Sequence, residues 1–274
     1  MMQFGFDLFG YLESLLNQDV LNAVNAYLAA LVLLVMLILV SRWQGLGIGS
    51  KLIVGTIRGT IQIILLALIL VQLFAFDNIF LILGVLSFMS LFAGYTAKQN
   101  LDEIPGVFRA ALPGIIVGGL SVMIMSWLLG VVELSGEMMI PMGGMVIGNA
   151  MNISSLVIDR MWGNAQKQRV LLESALALGA SSYQATELTI RESIRSGLLP
   201  NLNRYAALGI VTIPGFMSGL IVGGASPLFA ALYQVIVFIM IFLACVIDGV
   251  LVSRLFLKQI FNERLQLTVP PPTR

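Results

Sequence analysis

YAALGIVTIPGFMSGLIVGGASPLFAALYQVIVFIMIFLACVI, residues Tyr205–Ile247, runs for 43 residues between Arg204 and Asp248 without a charged side chain. A hydrocarbon core about 30 Å thick takes about 20 apolar residues as one helix, so this run is too long for one crossing and suits two. Gly223-Gly224-Ala225-Ser226-Pro227 supplies the turn between them. The same spacing divides the rest of the chain. Apolar runs lie between Asp19 and Arg42, between Asp77 and Lys98, between Arg109 and Glu133, and between Glu137 and Asp159. A further run between Arg58 and Asp77, extended back to Lys51, makes seven expected spans. The expected fold class is all-α: a polytopic membrane protein, with residues 1–274 as one transmembrane domain.

Composition supports this and excludes other classes. Of 274 residues, 58% are apolar and 11% charged, and the mean hydropathy is +0.97. An average soluble domain carries about 25% charged residues. A net charge of +1, with no basic face, excludes nucleic acid as a partner. A single cysteine excludes an internal disulfide framework and a Cys-rich zinc site. The absence of histidine excludes His-based catalysis and most transition-metal sites.

Orientation follows from the basic residues. With the N-terminus outside, the outer segments are 1–19, the turn near Asp77, 133–137 and 223–227. They carry Asp7, Glu13, Asp19, Asp77, Glu133 and Glu137, and all 15 Lys and Arg residues fall on or near the inner side. The N-terminus is therefore expected outside and the C-terminus in the cytosol, in a multi-pass protein of the cell inner (plasma) membrane. The first nineteen residues lack the positive start of a secretory signal. Leu8, Leu12, Leu15 and Leu16 recur at helical spacing there and suggest a short helix in the outer interface, a frayed tail being the alternative. Pro270-Pro271-Pro272-Thr273-Arg274 reads as a loose cytosolic tail.

One inner loop is large, residues 160–203. Ile190, Ile194 and Leu198 repeat at i, i+4, i+8, with Glu187, Arg191 and Arg195 on the opposite stripe. Val170, Leu171, Ala175 and Leu178 lie near one face of a preceding helix. The two helices meet at Gly179-Ala180-Ser181-Ser182, and Pro200 is expected to end the second. Such a hairpin either connects spans or docks a cytosolic partner.

Glu173-Ser174-Ala175-Leu176-Ala177-Leu178-Gly179-Ala180-Ser181, followed by Leu199-Pro200, resembles the EAA loop of ABC transporter permeases. Ser174 replaces the usual middle Ala. Longer runs, PMGGMVIGNAMN (Pro141–Asn152), RESIRSGLLPNLNR (Arg191–Arg204) and PGFMSGLIVGGASPLFAALYQ (Pro214–Gln234), resemble those of the FetB/YbbM permease family, which includes the plant STAR-type aluminium-tolerance permeases. The resemblance covers almost the whole chain after residue 40. It implies a permease subunit that pairs with a separate cytosolic ABC ATPase and works as a homodimer, with iron or a related metal ion as the exported substrate. It also implies that Glu173, Ala175, Gly179, Ser181, Arg191 and Arg195 couple the ATPase to the membrane helices. The chain has no G-x-x-x-x-G-K-[ST] loop, so ATP and Mg²⁺ are expected on the partner, no cofactor on this chain, and no enzymatic activity of its own.

Polar residues within the spans are candidates for the substrate pathway. Arg58 lies about 10 Å deeper than Lys51 along a helix, Gln62 follows it at i+4, and Asp248 lies at similar depth before Arg254. Intramembrane charges pair or line a path, so Arg58 and Asp248 are expected close together or on one cavity; snorkelling of Arg58 is the alternative. The fifth span carries Met138, Met139, Met142, Met145 and Met151 with Asn149, Asn152, Ser154 and Ser155. Methionines serve as soft ligands or as gap fillers. Met145, Asn149 and Asn152 are the pathway candidates, with interhelical hydrogen bonding as the other role for the amides. Gly144-x-x-x-Gly148 and Gly215, Gly219 and Gly223 suggest close helix approach, the latter face either moving, dimer-contacting or statically packed. Beside the ABC permease, a stand-alone ion-coupled carrier or channel stays open, as does a nucleotide sugar as cargo. A non-transporting scaffold is a third class.

Overall fold

The computed structural model describes residues 18–74, 78–262 and 266–270. The expected interfacial helix before Asn17 and the tail after Pro270 lie outside them. The described residues form α1 (Gln18–Trp43), α2 (Gly49–Phe74), α3 (Ile79–Asn100), α4 (Val107–Leu128), α5 (Gly136–Lys167), α6 (Arg169–Ala177), α7 (Ser182–Ala206), α8 (Gly215–Val222) and α9 (Pro227–Ile260). Among the described residues, six helices are long and apolar enough to cross a membrane: α1 to α5 and α9. The protein is an all-α membrane protein.

The chain divides into two units, residues 1–72 and 73–274. In the first, α1 and α2 are joined by a loop in which Gly45 and Gly47 take φ of 65° and 66°, values that favour glycine. The hydroxyls of Tyr27 and Thr60 are hydrogen bonded at 2.8 Å across the two helices. Their apolar side chains, Leu33 and Ile63 among them, are exposed, as befits helices whose solvent is lipid or another chain.

In the second unit α9 packs against α4 and α5, and α3 closes the group. Ile82, Leu86, Ile115, Met123, Met142, Ile147 and Phe256 are fully enclosed. Small residues let the helices approach. A Cβ on Gly118 would lie 2.8 Å from the Ala244 carbonyl oxygen, one on Gly119 2.9 Å from Ile147 Cγ1, and one on Gly114 would collide with Asp248 Oδ1. The tight glycine of α5 is Gly143, pressed against Leu86, while a Cβ on Gly148 would meet nothing within 4 Å. Of the Gly144-x-x-x-Gly148 pair, only Gly144 meets a neighbouring helix among the described residues: a Cβ there would lie 3.0 Å from Met89 Cε of α3. Met139 and Met142 are core filler, at 0% exposure.

Three expectations about helix ends are corrected. The fifth helix does not stop at the charges Asp159 and Arg160 but continues to Lys167, so the hairpin begins at Arg169. Charges mark the edge of the lipid; they do not break hydrogen bonding along a helix. The second hairpin helix runs through Pro200 to Ala206; the proline deprives only the Ser196 carbonyl of its partner. The sixth span is not one helix. Residues 207–214 are a turn, with Gly209 at φ 77°, and α8 rises only about 12 Å, against a core of about 30 Å.

The path through α7, the turn and α8 nevertheless follows α9 antiparallel along most of its length. A Cβ on Gly249 would touch Ile194 at 3.5 Å. Asn201 Nδ2 donates to Cys245 Sγ at 3.3 Å. The Tyr205 ring lies 5.5 Å from that of Phe242 and 5.8 Å from that of Phe238. The Met217 backbone N–H donates to Gln234 Oε1 at 3.2 Å. Pro214, the N-cap of α8, makes no side-chain cap, so buried Gln234 satisfies one of the orphan donors of that first turn.

Candidate functional site

The hairpin at residues 169–206 offers a surface. Leu172 is 1% exposed and anchors α6, whereas Val170, Leu171, Leu178 and Leu188 project outward, Leu178 at 89% exposure. Ala175 is half-buried. The apolar face read from the sequence is thus the outward one. Gly179 ends α6 at φ 90° in open space, a left-handed cap that suits glycine. Ser181 begins α7 with a reciprocal capping box: its Oγ accepts from the Gln184 N–H, and its own N–H donates to Gln184 Oε1 at 2.9 Å. Thr189 Oγ1 and Gln168 Oε1, 3.1 Å apart, tie α7 to the start of α6. Arg169 Nε donates to Glu173 Oε1 at 2.8 Å, and Arg169 Nη1 to the Val269 carbonyl at 2.8 Å, fastening the C-terminal segment to the hairpin. Arg191 Nη2 pairs with Glu187 Oε1 at 2.7 Å, and Arg191 and Arg195 lie on the exposed stripe. Ile190 is buried, with Ile194 and Leu198 half-buried beside it. The outcome is a rigid, capped turn with exposed leucines and flanking charges.

Within the bundle Asp248 is fully buried on α9. The Ser154 hydroxyl of α5 lies 3.0 Å from Asp248 Oδ1 and 2.9 Å from Oδ2. The backbone at Gly114 and Gly118 of α4 closes the remaining side. Asp248 is therefore a junction of three helices. Arg58, half-buried, and Gln62, exposed, sit on α2 of the other unit.

The pathway candidates on α5 separate. Asn149 Nδ2 donates to the Met145 carbonyl at 2.8 Å, within its own helix, and both residues are half-buried. Asn152 is exposed and lines a cavity of about 350 Å³ between α5 and α7, together with Ser155, Gly197, Pro200, Asn201 and Arg204. The sequence reading did not single out Asn201 or Arg204. Their signal was periodic: Gly197, Asn201 and Arg204 share one face of α7, as Asn152 and Ser155 share one face of α5. A Cβ on Gly215 or Gly219 of α8 would meet nothing within 4 Å among the described residues.

The family described as "Uncharacterised protein family (UPF0014)" matches residues 24–261. The "Probable iron export permease protein FetB" of Escherichia coli (strain K12) is 31% identical over 252 residues, covering 90% of this chain and 96% of that protein. "Protein ALUMINUM SENSITIVE 3" of Arabidopsis thaliana is 32% identical over 240 residues, 87% of this chain and 88% of that protein. "UPF0014 membrane protein STAR2" of Oryza sativa subsp. japonica is 31% identical over 239 residues, 87% of this chain and 84% of that protein. No solved structure matches. The match takes in the membrane helices, the hairpin and the α5–α7 cavity alike, and the chain belongs to the UPF0014 family of membrane proteins.

Proposed function

We propose that the chain is the permease subunit of an ABC transporter that exports a metal ion, iron being named for the Escherichia coli relative. The observation that carries this reading is the α6–Gly179–α7 hairpin, whose exposed Leu171, Leu178 and Leu188 flank a rigid capped turn. Apolar side chains rimmed by charge suit a protein groove better than water. In this account two copies of the chain form the pathway in the inner membrane, and two cytosolic ATPase subunits hold ATP and Mg²⁺. The N-terminus is outside and the C-terminus in the cytosol. The chain crosses seven times, α7, the turn and α8 together making the sixth crossing. Closure of the ATPases pulls on the hairpin, and α7, which continues without interruption from Ser182 to Ala206, carries the displacement to the α5–α7 cavity.

A stand-alone ion-coupled carrier is the second reading, favoured by the buried carboxylate of Asp248. A permease for a nucleotide sugar keeps the same coupling and changes only the cargo. Co-purification with the candidate ATPase subunit separates the first reading from the second. The wild-type chain is expected to retain the subunit, and a Leu171→Asp, Leu178→Asp variant to lose at least nine-tenths of it, as about two buried hot-spot contacts would require. Absence of any complex with the wild type contradicts the proposal.

A further inference from the structure

We propose that the cavity between α5 and α7 binds an oxyanion, the carboxylate or phosphate group of the transported ligand, with Arg204 as its anchor. That this ligand is the cargo rests on the permease reading above. The cavity measures about 350 Å³, and its polar lining is Asn152, Ser155, Asn201 and Arg204, with no carboxylate. The Arg204 guanidinium forms no ion pair or hydrogen bond with the described residues. Ser155 Oγ is buried with no partner among them. Asn201 is buried and gives one of its two amide protons to Cys245. Donors therefore outnumber acceptors on the side chains that face the space.

Depth sharpens the argument. Tyr205, next to Arg204, meets Phe242 of α9, and Phe242 lies about 22 Å below Pro227 at 1.5 Å per residue. With a hydrocarbon core about 30 Å thick counted from Pro227, the start of α9, the exposed Arg204 falls in its inner half. A guanidinium at that depth is costly against lipid and is kept where it meets water or a counter-charge. Its planar fork matches a carboxylate or phosphate in bidentate fashion. A bare divalent cation finds no anionic ligand in this lining; a metal ion enters such a site as a carboxylate chelate.

The test uses the full-length chain in lipid nanodiscs and equilibrium dialysis with labelled citrate and labelled inorganic phosphate. Saturable binding of at least one probe is expected, weakened at least tenfold in Arg204→Gln, weakened less in Arg204→Lys, which keeps the charge but not the planar fork, and unchanged in Arg160→Gln, which removes an exposed charge outside the cavity. Asn152→Leu, on the exposed rim, is expected to weaken it as well should Arg204→Gln fail to fold. Tighter binding of citrate identifies a carboxylate ligand, and tighter binding of phosphate a phosphorylated one. Equal binding by Arg204→Gln and wild type, or no saturable binding of either probe, overturns the site. ATPase-driven flux of Fe²⁺ without oxyanion binding also removes the site and leaves the permease reading intact. Arg204-dependent binding by a chain that engages no ATPase keeps the site and removes that reading.

Discussion

The Ser154 hydroxyl on α5 lies within hydrogen-bond distance of both carboxylate oxygens of Asp248 on α9, at 3.0 and 2.9 Å, in a position sealed by the glycines of α4. One hydroxyl is thus the bond between the two longest helices at the centre of the unit. Ser154→Ala removes the donor and leaves a buried acceptor unsatisfied, a loss of about 1–3 kcal/mol. Thermal unfolding in detergent is expected to show a lowered midpoint, with Asp248→Asn affected less because its amide oxygen still accepts. An unchanged midpoint for Ser154→Ala contradicts this role.

The glycines give a contrast. Gly118→Ala places a methyl 2.8 Å from the Ala244 carbonyl oxygen, overpacking that costs about 1–3 kcal/mol. Gly148→Ala meets open space and gains helix propensity, about 1 kcal/mol in favour. Folded yield and unfolding temperature are expected to fall for the first variant and hold or rise for the second. The reverse order removes the packing argument.

The hairpin separates stability from docking. Ser181→Ala removes the capping box and costs about 0.5–2 kcal/mol; Leu172→Ala empties an enclosed site and costs about 2–5 kcal/mol. Both are expected to speed limited proteolysis near Gly179. Leu178→Asp, at an outward position, is expected to leave the cleavage rate alone while weakening capture of the ATPase. Faster cleavage of Leu178→Asp places that leucine in the fold instead.

In the proposed seven-crossing topology, Ser182 and Ser226 lie on opposite sides of the membrane. The native thiol, Cys245, is buried, so single cysteines at these positions are readable by a membrane-impermeant maleimide. Ser226→Cys is expected to react in intact cells and Ser182→Cys only after the membrane is opened. Labelling of both from one side shows that α7, the turn and α8 do not cross.

Much of this was legible in the sequence. Charge spacing located the helices that became α1 to α5 and α9, and the i, i+4 stripe of Ile190, Ile194 and Leu198 gave the inward face of α7. The break between α7 and α8 was not legible, because Tyr205–Val222 carries no charge and hydropathy reads depth, not backbone geometry. Gly209 and Pro214 were the local signals. The glycine contacts were legible only in part for a related reason: Gly144-x-x-x-Gly148 and Gly114-x-x-x-Gly118 have the same spacing, and only the rotation of each helix about its axis brings both glycines of the second pair, but only Gly144 of the first, against a neighbour. The partner of Asp248 was hidden in the same way, since Ser154 and Ser155 differ by one position and only one of them points at α9.

The measurement closest to the central claim is ATP-driven transport by the reconstituted pair. The chain and its candidate ATPase subunit are placed in liposomes, and Fe²⁺ flux and ATP hydrolysis are followed together for wild type and Glu173→Ala. Glu173 pairs with Arg169 on a half-exposed surface, a contact worth at most about 1 kcal/mol, so its removal probes coupling and not folding. The account predicts flux that requires ATP, and a Glu173→Ala complex that assembles but hydrolyses ATP without moving ions. Flux that needs neither the ATPase subunit nor Glu173 contradicts it and makes the chain a carrier in its own right.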